Sequence, residues 1–267
     1  GKTALDRFNA ARDAAVSHGG GVVYFPAGTY EFNDSLYLKN GVVIRGEAPT
    51  VKDAKNKQYT PPAKLVFPQY KPQFSSYGTS NDSAFKKIAT TDPDSDSNIG
   101  IVDVDINRAA IELSGNLETG EQQNILIFGV RSNNVAEPDP KVPDPDFQAL
   151  WMRYSYRFAA NIKANSNRNI LVANNRINDA ITDTYEQPGY QVRSRDNKSV
   201  ITYAEGKKVP FDYANHYGII VNRSGKSGEF TPAATPDTEL GLFCPGVTIR
   251  DNWIYHTMRV GLAASGG

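Results

Sequence analysis

The richest group of side chains for sugar chemistry lies in the middle of the chain, where Trp151 and Arg153 are followed by Tyr154, Tyr156 and Arg157. An aromatic ring can stack on a sugar, and a guanidinium can hold a carboxylate or sulfate. We therefore predict that Trp151, Tyr154, Tyr156 and Arg157 bind substrate and that Arg153 takes part in catalysis. The alternative is a solvated strand edge with packed tyrosines, and a Trp151 covered by a loop.

A second group of candidates comes from carboxylates and a histidine. Asp183 and Glu186 lie in the polar segment 178–216 and offer a carboxylate pair for glycoside hydrolysis. His216 suits proton transfer near neutral pH, and Glu112 adds a carboxylate on a predicted strand. We predict catalytic roles for all four side chains. The alternative is an ordinary polar loop, with His216 only bonding its own turn.

These two groups leave two reactions open. In β-elimination a cation neutralises a uronate carboxylate, a base removes the C5 proton and an acid protonates the leaving oxygen, and Arg153 and His216 could share these roles. In hydrolysis two carboxylates act on the glycosidic bond. The residue types alone do not decide between the two reactions.

Three carboxylates at alternate positions suggest a metal site. Asp92, Asp94 and Asp96 have the alternate spacing of a calcium-binding loop, but the glycine that should follow is missing. Calcium is therefore a hypothesis beside the simpler one of a solvated acidic loop.

The elements that must position these residues form an internal repeat. Five seven-residue segments begin with Asn or Gly, have Val or Ile at the second and fourth places, and reach Gly, Asp or Asn at the sixth. This pattern predicts a strand with one buried face, ended by a sharp bend. The segments are Gly41-VVIRG-Glu47, Asn98-IGIVD-Val104, Asn124-ILIFG-Val130, Asn169-ILVAN-Asn175 and Gly246-VTIRD-Asn252.

The sixth place of this repeat also explains two acids that look catalytic in isolation. Asp103 and Asp251 share that place with Gly46, Gly129 and Asn174. We therefore predict a structural role at the bend for both acids.

A second set of segments alternates with the first from residue 98 onward. It comprises Ala110-IELSG, Ala149-LWMRY, Gly218-IIVNR and Gly261-LAASG. Stacked coils would place equivalent outward residues about 4.8 Å apart and form a binding face. One outward column would read Glu112, Trp151, Ile220 and Ala263; the next would read Ser114, Arg153, Asn222 and Ser265, with Tyr154 and Arg223 at the edge. Asn222 and Arg223 are therefore also predicted to bind substrate.

Alternating strands of this kind predict an all-β solenoid. In such a fold each turn of the chain connects one strand to the next parallel strand of the same sheet. We expect one such domain over 1–267, with loop insertions at 48–97, 178–216 and 224–245. A helix over 3–17 is expected to cap the first coil within the segment 1–21. The last residues follow a strand without such a cap, so we expect the chain to be truncated there.

Composition narrows the class of partner. Lys and Arg total 29 and Asp and Glu total 29, so the excess of basic charge that nucleic-acid binding needs is missing. No apolar stretch approaches the length of a membrane span. The single cysteine, Cys244, excludes an internal disulfide and a multi-cysteine zinc site.

The opening of the chain resembles a known family. Thr3-ALDRFNAARDAAVSHGGGVVYFPAGTYEF, ending at Phe32, and Leu36-YLKNGVVIRG-Glu47 are similar to the start of pectate lyase superfamily, or pectin-lyase-like, proteins. The Asn-rich turns extend the likeness along most of the chain. The resemblance implies a right-handed parallel β-helix of three sheets, in a protein that is secreted or at the cell surface.

The resemblance also implies a class of function. Many members of this family are polysaccharide lyases, glycoside hydrolases or epimerases, while others are tailspikes or adhesins. The catalytic signatures of polygalacturonases and of classical pectate lyases are absent, so no catalytic residue is carried over. We expect an enzyme acting on a polysaccharide, with an acidic glycan favoured; the alternative is a non-catalytic binding, adhesin or tailspike-like module.

Overall fold

The computed structural model describes most of the predicted coils. It describes residues 1–69, 86–93, 95–115, 122–135, 159–164, 167–178, 184–186, 191–193, 200–202, 208–210, 216–222, 246–257 and 260–265.

Within the described ranges, eighteen strands form three parallel sheets of six strands each. Sheet A contains β1 (Gly21–Tyr24), β4 (Val42–Arg45), β7 (Ile99–Val102), β10 (Gln122–Phe128), β13 (Asn167–Ala173) and β20 (Val247–Arg250). Sheet B contains β2 (Gly28–Glu31), β5 (Ala63–Val66), β8 (Asp105–Asn107), β11 (Arg131–Asn133), β14 (Arg176–Asn178) and β21 (Trp253–His256). Sheet C contains β3 (Leu36–Leu38), β6 (Lys86–Thr90), β9 (Ala109–Glu112), β12 (Ala159–Lys163), β19 (His216–Asn222) and β22 (Val260–Ser265).

Successive coils each give one strand to sheets A, B and C in that order, so the fold is an all-β parallel β-helix, as predicted. The predicted right-handed sense is the one that parallel crossovers almost always take. All five seven-residue segments lie in sheet A, and Arg176 and Trp253 begin the short strands predicted after the bends.

The core is a set of aliphatic columns inside the coils. On sheet A, Ile44, Ile101, Ile127 and Val172 are paired one above the other and are fully buried. Each column forms because the strands pair in register, which places the same side of every repeat inward.

The bends between sheets A and B explain the sixth place of the repeat. Asp103, Gly129, Asn174 and Asp251 all have positive φ, from 52° to 68°. Glycine, asparagine and aspartate tolerate this left-handed conformation best, which accounts for the residue types found there. The structural role predicted for Asp103 and Asp251 is confirmed.

The first place of the repeat is left-handed too, and it carries an asparagine ladder. Asn98, Asn124 and Asn169 have φ of 52° to 59°. Asn124 Nδ2 donates to Asn98 Oδ1 at 2.7 Å, and Asn169 Nδ2 donates to Asn124 Oδ1 at 3.3 Å. The ladder fastens neighbouring coils at their corners.

Helix α1 (Ala4–Ser17) covers the first coil, as predicted. Thr3 caps it and forms a capping box with Asp6. Phe8 is buried and lies 6.4 Å from Phe25 and 6.5 Å from Phe32 between ring centroids, at the top of the core. The helix therefore shields apolar side chains at the edge of β1.

Two predicted boundaries were wrong. The segment 48–97 is not one loop, because it contains β5 and β6 of the second coil. The sheet C place of the fourth coil, predicted for 149–154, is occupied by β12, which pairs with both β9 and β19; 149–154 itself lies outside the described residues. Ile162 of β12 fills the inward column between Ile111 and Ile219, although 149–154 has the more apolar alternation.

The segment 178–216 carries strands of its own outside the three sheets. β15 (Thr184–Glu186) pairs antiparallel with β18 (Lys208–Pro210), and β16 (Gln191–Arg193) pairs antiparallel with β17 (Val200–Thr202). The second helix of the described part of the chain, α2 (Val51–Ala54), is a single turn between β4 and β5.

The bend column provides a test of the fold. Gly129 has φ +68°, and a Cβ atom added to it would lie 2.2 Å from Asp103 Oδ1. We expect Gly129→Ala to lower the free energy of unfolding by about 3 kcal/mol, because backbone strain and a steric clash add together. Urea denaturation would measure the loss.

Gly261→Ala is the matched control, since its added Cβ would meet nothing closer than Ile254 Cδ1 at 3.6 Å. Equal stability losses in the two variants would contradict the role given to the bend.

Candidate functional site

The outer face of sheet C carries a column of outward side chains across the middle coils. The pairing places Ala89 next to Glu112, Glu112 next to Lys163 and Lys163 next to Ile220. Ala263 follows Ile220 in the last of these coils. Lys163 therefore holds the position in the column that was predicted for Trp151.

Three charged side chains from successive coils meet on this face. Lys87 Nζ lies 2.6 Å from Glu112 Oε2, and Lys163 Nζ lies 3.1 Å from Glu112 Oε1. Their side chains are 16% to 25% exposed, so they are shielded but still reachable from solvent. We call Lys87, Glu112 and Lys163 the sheet C triad.

The electrostatics of the triad keep its carboxylate ionised. Partial burial raises the pKa of Glu112, but attraction to Lys163 and Lys87, with a hydrogen bond from each, outweighs burial and lowers the pKa overall. Glu112 is therefore a carboxylate at neutral pH and is poorly suited to donate a proton. It can act as a base or as the counter-ion of two lysines.

The triad has an excess of one positive charge on a half-buried surface. Ammonium groups that are partly desolvated bind carboxylates more strongly than exposed ones do. A sugar carboxylate or sulfate could contact either lysine without leaving Glu112 unpaired. The arrangement is thus suited to holding an anionic group beside a fixed carboxylate.

Four of the predicted site residues belong to described strands: Glu112, Glu186, His216 and Asn222. Glu112 belongs to the sheet C triad. His216 and Asn222 are the first and last residues of β19, and β19 pairs with β12 next to Lys163. Glu186 ends β15, outside the three sheets. The others fall outside the described residues: Arg153, Asp183, Trp151, Tyr154, Tyr156, Arg157 and Arg223.

Sequence reasoning missed two members of the triad. Lys87 lay in the segment assigned to a loop, and Lys163 lay just after the segment chosen as the sheet C strand. The signal for Lys163 was present, because Ile162 lies between two polar residues, Asn161 and Lys163, in the period-two pattern of a strand.

The acidic loop before β7 uses its carboxylates to close a turn. Asp96 Oδ1 accepts the backbone N–H of Asn40 at 2.9 Å, and Asp96 Oδ2 accepts that of Asp92 at 2.6 Å. Ser95 Oγ donates to Asp92 Oδ2 at 2.6 Å. Asp94 is outside the described residues. A calcium ion at this loop stays a prediction, and the hydrogen bonds already give Asp92 and Asp96 a structural role.

Two classes of site find no candidate in the described ranges. No group of three or more His, Cys, Asp or Glu side chains there is arranged to hold a metal ion. Neither helix among those residues is long and apolar enough to cross a membrane.

Comparison with known proteins gives a likeness of fold only. No protein-family model and no curated protein matches the chain. Among solved structures, the chain is similar to the A-module of the Azotobacter vinelandii mannuronan C-5 epimerase AlgE4, with 14% identity and a TM-score of 0.37. That match covers 83% of this chain and 50% of the module, so the chain spans half the module's length.

A second module is similar at a lower score. The A-module of the mannuronan C-5 epimerase AlgE6 from the same organism shows 12% identity and a TM-score of 0.25, over 99% of this chain and 95% of that one. The β-helix of this protein is established by its own strand pairing and does not depend on either likeness.

The charge of Glu112 makes a prediction about pH. A carboxylate whose pKa is lowered in the folded state stabilises the protein above its unfolded pKa, and this stabilisation is lost as the pH falls through the folded pKa. We expect Glu112→Gln to lower the free energy of unfolding by about 1 kcal/mol at pH 7, with the difference from the wild type shrinking in acid. Thermal unfolding of both proteins, measured at several pH values between 7 and 3, would show how this stability difference changes.

Asp34→Asn is the matched control, because it breaks the ion pair with Lys86 in which the Asp34 side chain is 62% exposed. Asp34→Asn should lower the free energy of unfolding by less than Glu112→Gln does. A Glu112→Gln loss that is the same at pH 7 and pH 3 would show that the charge of Glu112 is not the cause.

Proposed function

We propose that this protein is a secreted or surface-bound enzyme that cleaves an acidic polysaccharide, with the glycan lying along the outer face of sheet C. The observation that carries this proposal is the sheet C triad, in which two lysines from different coils flank one ionised carboxylate. Coils stack about 4.8 Å apart, so the face presents repeated contacts along the axis of the solenoid. A linear polymer fits such a face better than a compact small molecule does.

The preference for an acidic glycan follows from the balance of charge. Lys87 and Lys163 carry two positive charges against the single negative charge of Glu112. Arg153 and Arg157 precede β12 in the sequence by a few residues and add further cationic groups to this part of the chain. Guanidinium and ammonium groups bind the carboxylate of a uronate by charge-assisted hydrogen bonds.

The reaction that best uses these groups is β-elimination. Lys87 or Lys163 would neutralise the uronate carboxylate and so favour loss of the C5 proton. Arg153 and His216 are proposed to complete the site as cation and as proton-transfer group. Hydrolysis would instead require a protonated carboxyl group, and Glu112 is held ionised by its lysines, so a proton donor would have to come from Asp183 or Glu186.

One observation favours the alternative of a non-catalytic polysaccharide-binding, adhesin or tailspike-like module. Glu112 is already paired with both lysines, and such a closed ion network often serves only to hold neighbouring strands together. In that case the face would bind a glycan without product release.

A substrate screen is the first experiment. The purified protein is incubated with a panel of acidic and neutral polysaccharides, while ultraviolet absorbance of unsaturated uronates and release of reducing ends are followed in parallel. We expect both signals to rise on an acidic glycan. Reducing ends alone would indicate hydrolysis and direct attention to Asp183 and Glu186, while binding without either signal would establish the binding module.

Single substitutions then test the face itself. We expect Arg153→Ala and His216→Ala to abolish turnover, and Lys163→Gln to weaken binding of the acidic glycan about tenfold, with a smaller effect at high salt. Lys86→Gln is the matched control, because Lys86 pairs with Asp34 away from the triad. Equal effects of the Lys163 and Lys86 substitutions would refute binding at the triad.

A further inference from the structure

The outward column of sheet C continues past the sheet C triad to the first coil, where it ends in an exposed tyrosine. The pairing places Tyr37 of β3 next to Ala89 of β6, and Ala89 next to Glu112 of β9. Neighbouring strands lie about 4.8 Å apart, so Tyr37 is roughly 10 Å from Glu112 along the axis of the solenoid. The face that carries the triad therefore has an aromatic side chain at one end.

The ring of Tyr37 is open to a ligand. Tyr37 is 47% exposed, whereas Leu36 and Leu38 on either side of it are fully buried in the core. Its hydroxyl has no hydrogen-bond partner in the part of the chain that the structure describes. Ala89 ends in a methyl group, so no large side chain of the column separates the ring from Glu112. A sugar that lies along this face can therefore stack on the ring.

A second group of charges adjoins the strand that carries Tyr37. Lys39 Nζ lies 2.9 Å from Asp13 Oδ1, and Arg12 Nε lies 3.0 Å from the same oxygen. Arg12 Nη1 also donates to the backbone oxygen of Tyr37 at 2.9 Å, which joins helix α1 to the edge strand of sheet C. We call Arg12, Asp13 and Lys39 the cap cluster.

The cap cluster has the same balance of charge as the sheet C triad. Hydrogen bonds from Arg12 and Lys39 lower the pKa of Asp13 to about 2, so this side chain is a carboxylate at neutral pH. Two cations against one anion leave one positive charge in each group. The side chains of Lys39 and Asp13 are 36% and 52% exposed, so an anionic ligand can reach them. One net positive group thus adjoins Tyr37, and the other lies beyond Ala89.

We propose that Tyr37 and the cap cluster form an outer subsite for an acidic polysaccharide. This subsite rests on the proposed function, because the glycan must first lie along sheet C. One sugar stacks on the ring of Tyr37, and an acidic group of that sugar or of its neighbour contacts Lys39. The polymer then runs along the solenoid axis from the triad towards helix α1, so the helix that caps the core also takes part in binding.

The outer subsite favours long acidic chains over short ones. A dimer can bind at the triad without reaching Tyr37, whereas a chain of several sugars contacts the triad and the cap cluster together. Two contacts made by one ligand raise its affinity, because the second contact forms without a further loss of translational freedom. A neutral chain has no charged group for either cluster. The ligand class is therefore a linear polysaccharide with carboxylates or sulfates on several of its sugars.

Oligosaccharides of different length test this subsite. The probes are dimers and octamers of linear polyuronates with galacturonate, glucuronate or mannuronate units. Calorimetric titration is done in a His216→Ala background, which is expected to bind the octamers without cleaving them. We expect Tyr37→Ala to weaken octamer binding about fivefold and dimer binding by less than about twofold. Tyr37→Phe keeps the ring and should bind octamers as the background protein does.

Matched controls separate the outer subsite from general effects of surface residues. Tyr24 is 54% exposed on the outer face of sheet A, so Tyr24→Ala should leave octamer binding unchanged. Lys39→Gln should weaken octamer binding about threefold, and less at high salt. Lys86→Gln should not, although it breaks an ion pair of the same 2.9 Å length, with Asp34. The thermal midpoint of Tyr37→Ala should match that of the background protein.

Two results would overturn the outer subsite, and a third would overturn its premise. Equal octamer affinities of Tyr37→Ala and Tyr24→Ala would exclude Tyr37 from binding, while a loss in Lys163→Gln would leave the proposed function intact. Equal weakening of dimers and octamers by Tyr37→Ala would assign the effect to altered structure and not to a lost contact. A protein that binds none of the probes would refute the proposed function, and the outer subsite with it.

Discussion

In-register parallel pairing between successive coils is the constraint on which the rest of this structure depends. Each coil places its strands directly beside those of the coil before it, so any residue has a neighbour of the same orientation one coil away. Inward places are mainly apolar, as in the column from Ile44 to Val172, although Ser132 of β11 is fully buried in the inward column of sheet B. Outward places also line up from coil to coil, and the sheet C triad forms where charged side chains of neighbouring coils meet on one outer face.

The same constraint explains which parts of the fold could be predicted from the sequence. The first place of the repeat has left-handed backbone in all five segments, and the sixth place has it in four, Gly46 being the exception, so the Asn, Gly and Asp residues at these places marked the coils that carry the motif. β5 and β6 belong to sheets B and C, where the motif does not occur, and they lie within the long segment 48–97 that follows the sheet A strand of their coil. No bend residue distinguished these strands from the loop around them.

The candidate site was harder to predict because its members come from different coils. Glu112 was identified as a single carboxylate, but its two lysines became partners only once β6 and β12 were in register with β9. The apolar alternation of 149–154 outweighed the weaker pattern of 159–163, and this error moved Trp151 into the place of Lys163. A one-strand error in a solenoid changes every lateral neighbour, even when the overall fold is correct.

Two carboxylates of this protein show how local neighbours decide the chemistry of one residue type. Glu112 and Asp103 both lose water on folding, which raises the pKa of each. Lysines from the coils on either side of Glu112 reverse that effect: Lys163 is paired directly with Glu112, and Lys87 reaches it diagonally from the place paired with Ala110. Glycines at the bend above and below Asp103 offer no such group. The residue type at one place in the adjacent coil thus separates an ion-paired carboxylate from an acid whose pKa burial raises to about 6.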